Sequence, residues 1–139
     1  MNKIVTVKEN LFELGTLFSI FENPKDKFIQ LMDMAKDLEP LSDDEKNEEN
    51  KIYGCTSQAW VVVKKNKDNS YSLKTDSDAL IVKGLLFILQ KVFNNQTASE
   101  IHSVNTQEIL ESIGLDGAIT NQRTNGFSNA LEKIQSIVK

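Results

Sequence analysis

The chain has 139 residues, of which 40% are hydrophobic and 26% charged, and a formal net charge of -4. One domain of that size, residues 1–139, buries a single core, and the acidic balance excludes the basic footprint that nucleic acid or an anionic membrane surface requires. The single cysteine, Cys55, excludes an internal disulfide and any CxxC metal or redox motif, and points to a reducing, cytoplasmic setting.

Met1 to Thr6 shows no long apolar stretch, so no signal peptide is expected. Residues from about Thr6 to Phe21 place Leu11, Leu14, Phe18 and Phe21 at helical spacing and predict a short amphipathic helix. Asn23-Pro24 reads as an N-cap followed by proline at the first helical position. The helix it opens carries Phe28, Leu31, Met32, Ala35 and Leu38 on one face and is expected to stop at Pro40. Ser42 to Lys51 is dense in charge and reads as a solvated loop, with an acidic docking arm as the sharper alternative.

The middle third predicts strands. Ala59 to Lys64 and Ser70 to Thr75 are rich in β-branched and aromatic residues, and the polar tetrad Asn66 to Asn69 between them is a hairpin turn. Because a lone hairpin is marginal, a third strand is expected, from Lys51 to Tyr53. Ala79 to Phe93 is apolar nearly all round and predicts a central buried helix. It is too short for the roughly 20 residues of a membrane span, and Lys83 and Lys91 interrupt it. Gly84 inside that helix costs about 1 kcal/mol relative to alanine, which suggests another backbone packed close by. Two short helices near Thr97 to His102 and Thr106 to Ile113 follow, the second ended by Gly114. A last helix from about Arg123 places Phe127, Ala130, Leu131, Ile134 and Ile137 on one stripe. The fold class is α+β, a small antiparallel sheet of about three strands packed on helices.

Among the residues that could do chemistry, Cys55 stands first. It sits between Gly54, which lets the backbone turn without steric cost, and Thr56-Ser57, which can turn donors towards a thiolate, the reactive form of the group. The alternative is a buried cysteine acting as a small hydrophobe. His102 is the only histidine, and a Cys-His catalytic pair would need it to meet Cys55 in space. Asp76 and Asp78 could ligate a metal, but one cysteine and one histidine leave too few companions. Both are expected to cap the start of the central helix. No cofactor or metal site is expected. Arg123-Thr124-Asn125-Gly126 is a polar cluster at the start of the last helix.

These residues carry a resemblance. Asn50-x-Ile52-x-Gly54-Cys55-x-Ser57-Gln58-x-Trp60, then Asp76-Ser77-Asp78-Ala79-x-Ile81-Val82-Lys83-Gly84-Leu85, then Gly114-Leu115 and Arg123-x-Asn125-Gly126-Phe127, resemble in order the motifs of the SufE family. Leu38-Glu39-Pro40-Leu41 and the acidic loop also match. Thr56 stands where glutamine is usual and Ala59 where valine is common, and 116–122 departs from the family's usual approach to the last helix.

The resemblance implies a sulfur acceptor, SufE/IscU-like in fold, that is not an independent enzyme. It would take persulfide sulfur onto Cys55 from a SufS-type cysteine desulfurase, a pyridoxal-phosphate enzyme, stimulate that partner, and pass sulfur to a downstream cluster scaffold complex. It also implies that the resting cysteine is sheltered in an apolar pocket, that Gly54 and Ser57 support it, and that Asp78 and Arg123 lie near the cysteine loop and partner surface. Two other readings are a cluster-assembly scaffold resembling IscU, which would need more cysteines, and a cysteine-nucleophile hydrolase using Cys55 and His102, which lacks an oriented base.

Overall fold

The computed structural model describes residues 5–54 and 57–138. Within these, six helices flank a three-stranded antiparallel sheet. The first helix, α1 (Val7–Phe18), begins where Thr6 is extended and its hydroxyl accepts the Glu9 amide at 3.1 Å. It buries Val7, Leu11, Leu14 and Phe18. Phe21, expected in the helix, lies beyond it in a turn whose amide reaches the Phe18 carbonyl.

Helix α2 (Pro24–Ala35) starts as its sequence predicts, with Asn23 as N-cap and proline in the first turn. Its end differs from expectation: the helix stops at Ala35, well before Pro40. The amides of Asp37 and Leu38 bond to Met34 and Ala35, three residues back, and this tighter winding ends the α-helical ladder. Leu38 therefore belongs to a turn.

Strands β1 (Ala59–Lys65) and β2 (Ser70–Ser77) form the predicted hairpin, with Trp60 opposite Asp76 and Val63 opposite Leu73. Asn69 takes the positive φ of 70° that the turn needs. The third strand corrects the expectation. Lys51 makes one isolated bridge to Trp60; β3 is Gln96–Thr97, paired with the start of β2. Two features explain the switch. The chain turns at Gly54, at φ +88°, before a strand can extend, and Asn95, at φ +65°, folds the segment after α3 back so that its amide bonds to Tyr71.

Helix α3 (Leu80–Phe93) is the centre of the core, with Leu85, Leu86, Ile88, Leu89, Val92 and Phe93 buried. Gly84 has the close backbone neighbour its cost implied: a Cβ there would lie 3.2 Å from the backbone of Leu31 on α2. Helices α4 (Ala98–Ile101) and α5 (Thr106–Ser112) follow, and Gly114 ends the latter at φ +72° while Leu115 bonds back to Leu110. The last helix, α6 (Asn121–Ile137), starts two residues before Arg123, because the Thr120 hydroxyl caps the Arg123 amide at 3.2 Å. Its Phe127, Ala130, Leu131 and Ile134 join the core, while Ile137 is exposed. No helix among the described residues is long and apolar enough to cross a membrane.

Candidate functional site

Cys55 and Thr56 lie outside the described residues, so the site is defined by the two stems that carry them. The upstream stem runs from Leu41 to Gly54 and is fastened at several points. Asn50 donates its side-chain amide to the Glu45 carbonyl at 2.9 Å, and the amide of Ile52 bonds to Ala59 at 2.8 Å. Lys133 on α6 donates to the Glu49 carbonyl at 2.8 Å, and one turn earlier Asn129 donates to the Tyr53 carbonyl at 3.2 Å. Gly54 follows at positive φ, in a conformation that side chains rarely adopt.

The downstream stem, Ser57-Gln58, is tied to the end of β2. The Gln58 carbonyl accepts from the Ser77 hydroxyl at 2.8 Å and from the Asp78 amide at 3.1 Å. This brings Asp78 beside the downstream flank of the cysteine, with its side chain exposed. Ser57 is half-buried. Arg123 is exposed in the first turn of α6, at the rim of a small cavity lined by Val82, Leu85, Leu86 and Phe127. Among the described residues no hydrogen bond or ion pair joins its side chain to Asp78 or Gly54.

Asp76 and Asp78 do not cap α3, which corrects the sequence reading. The N-cap is Ala79, with no side-chain cap bond. The Ala79 amide goes to the Ser77 hydroxyl instead. Asp76 belongs to β2 and is 3% exposed. Its carboxylate accepts the Leu41 amide at 3.0 Å and the Ser77 amide at 2.8 Å, and pairs with Lys46 at 3.5 Å and Lys83 at 3.6 Å. Burial by itself would raise its pKa, but the Leu41 and Ser77 amides and the two ammoniums outweigh it and hold the carboxyl below its ordinary value. Lys46 also lies over the Trp60 ring, 5.4 Å from its centroid. The acidic segment is therefore a strap fixed across one face of the sheet, with most of its carboxylates in solvent.

His102 is exposed and its Nε2 lies 2.7 Å from the Val138 carbonyl. That contact is at the far end of α6, about 13 Å along the axis from Asn129 at 1.5 Å per residue. No group of three or more His, Cys, Asp or Glu side chains that could hold a metal ion occurs among the described residues.

Sequence reasoning missed Asn129. The available signal was an asparagine in the middle of an amphipathic helix, where it is a weak helix former and needs a use. Tyr53 was missed as well. It is 60% exposed, bonded through its hydroxyl to Glu48, with Lys51 over its ring at 5.5 Å. The Glu48 hydrogen bond raises the phenol's pKa.

The family model described as SufE, Fe-S metabolism associated domain, matches residues 13–138. A SufE-like protein of Synechocystis is 34% identical over 131 residues, covering 94% of this chain and 81% of its own length. One from Rhizobium etli is 32% identical over 125 residues, 88% of this chain and 84% of its own length. SufE-like protein 1 of Arabidopsis thaliana, chloroplastic/mitochondrial, is 33% identical over 135 residues, but this chain spans 36% of its length. The solution structure of a hypothetical protein from Thermus thermophilus has the same fold, with a TM-score of 0.74, 18% identity, and coverage of 96% of this chain and 94% of that one.

Proposed function

This chain belongs to the SufE family, and on that premise we propose that Cys55 accepts persulfide sulfur from a SufS-type cysteine desulfurase, that the protein stimulates that enzyme, and that it passes the sulfur on for iron–sulfur cluster assembly. The family ties the chain to iron–sulfur metabolism. The observation that supports the finer reading is that the stems flanking the chain's one thiol in the sequence are both anchored: the upstream stem ends in Gly54 at positive φ and is tied to α6, and the downstream stem is tied to the end of β2. Such anchoring fixes the two flanks between which a single sulfur nucleophile lies in the sequence.

The chemistry asks little beyond that. The Cys55 thiolate attacks the outer sulfur of the donor's persulfide, the donor's S–S bond breaks, and the donor leaves as a thiolate. The bond formed and the bond broken are both S–S, so no external oxidant is consumed. The proton lost by the Cys55 thiol balances the one taken up by the departing thiolate. A cluster scaffold would instead hold a metal through several thiolates, and a hydrolase would need a base beside the thiol, whereas His102 is engaged with the Val138 carbonyl.

The test is intact-mass spectrometry of Cys55→Ser and the native protein after incubation with a desulfurase and cysteine. The native chain should gain one sulfur on Cys55 and raise desulfurase turnover. The serine variant should do neither while keeping its melting temperature. Undiminished stimulation by the serine variant would replace the relay with allosteric activation.

A further inference from the structure

We propose that Asn129 is the positioning residue for the acceptor thiol, a latch by which α6 holds the Tyr53–Gly54 segment from which Cys55 follows. The proposal rests on the reading of Cys55 as the acceptor, but it concerns where the loop is held and can be read by thiol chemistry alone.

Four observations carry it. The Asn129 amide donates to the Tyr53 carbonyl at 3.2 Å, across 76 positions of sequence. Gly54 is left-handed, and a Cβ built on it would fall on the same Asn129 nitrogen, so the two residues are in direct contact. Lys133, on the next turn of the same helix face, takes the Glu49 carbonyl, which gives this face of α6 two grips on one stem. Tyr53, whose carbonyl is held, is itself 60% exposed. The latch is one neutral hydrogen bond at an exposed site, modest in net worth and therefore reversible.

The experiment compares the rate at which a dipyridyl disulfide labels Cys55 in the native protein, Asn129→Ala and Asn129→Asp, from pH 7 down to about pH 4. Each variant's rate is divided by the native rate at the same pH, which cancels the titration of the thiol. Asn129→Ala should label about fivefold faster, the worth of one such hydrogen bond, at every pH. Asn129→Asp should be faster at neutral pH, where its carboxylate faces the Tyr53 carbonyl without a proton to donate. Its ratio should fall towards one as the carboxyl is protonated near pH 4 and can donate again. A purely packing role for residue 129 would give no such pH dependence.

A ratio of one for both variants, or a flat ratio for Asn129→Asp, overturns the latch and leaves the acceptor reading standing. If Asn129→Ala does not fold, the pH dependence of Asn129→Asp decides by itself. Failure of native Cys55 to gain sulfur from a desulfurase overturns the acceptor reading, while the labelling ratios still decide the latch.

Discussion

Gly54 and Asn129 are in contact so close that a side chain on residue 54 would have to displace the Asn129 amide. Two separate constraints thus fall on one glycine, the positive φ and the neighbour. Gly54→Ala should cost about 1–2 kcal/mol through the left-handed backbone alone, and more with the clash. Urea unfolding of Gly54→Ala, Asn129→Ala and the double variant checks this. The double variant should recover the clash component and not the backbone one, so the cycle should show a coupling energy different from zero.

Asp76 was expected to cap a helix, a role in which asparagine would serve nearly as well. Its observed partners reverse that expectation. Asp76→Asn would strip two lysines of their counter-charge, one of them 14% exposed, and should destabilise the protein by about 2–3 kcal/mol at neutral pH. Denaturant titration measures it, and a loss under 0.5 kcal/mol, the range of ordinary surface changes, would refute the strap as a fixed element.

The same carboxylate gives a pH dependence with a definite sign. Its folded pKa lies below the unfolded value, so its stabilisation is complete above about pH 4 and is lost as pH falls through the folded value. The gap in stability between native protein and Asp76→Asn should therefore be widest at neutral pH and close below about pH 4. Melting temperatures of both proteins across that range test it, and a gap that widens on acidification would contradict the assignment.

Asp78 and Arg123 are exposed, and replacing either with alanine should change stability by less than about 0.5 kcal/mol. If they belong to the partner surface, Asp78→Arg should alter desulfurase stimulation without moving the melting temperature. Equal and large losses of stability from both changes would make these positions structural.

Gly84→Ala tests the core. Alanine would improve helix propensity by about 1 kcal/mol, yet its Cβ would press on the Leu31 backbone, which cannot move like a side chain. The overpacking term of about 1–3 kcal/mol should win, giving net destabilisation. A more stable alanine variant would show that α2 gives way.

The sequence by itself determined the parts that depend on neighbours along the chain. The Asn23-Pro24 start of α2, the hairpin with Asn69 at its turn, the apolar central helix α3 and the glycine stop after α5 are local patterns of composition, cap and turn, and each formed as read. The family was legible for the same reason, since its motifs are short and ordered. Only the tertiary structure decided what lies far apart in sequence. Gln96–Thr97 replaced Lys51 to Tyr53 as third strand because two left-handed residues, Gly54 and Asn95, redirected the chain. Asp76 became a buried tie because the loop from Leu41 to Lys46 crosses over it, and Asn129 reached Tyr53 because α6 packs beside the cysteine-bearing stem. A hydrogen bond spanning 76 residues leaves no periodicity to read: the cost of closing so long a loop is met by the whole core and not by the residues that touch.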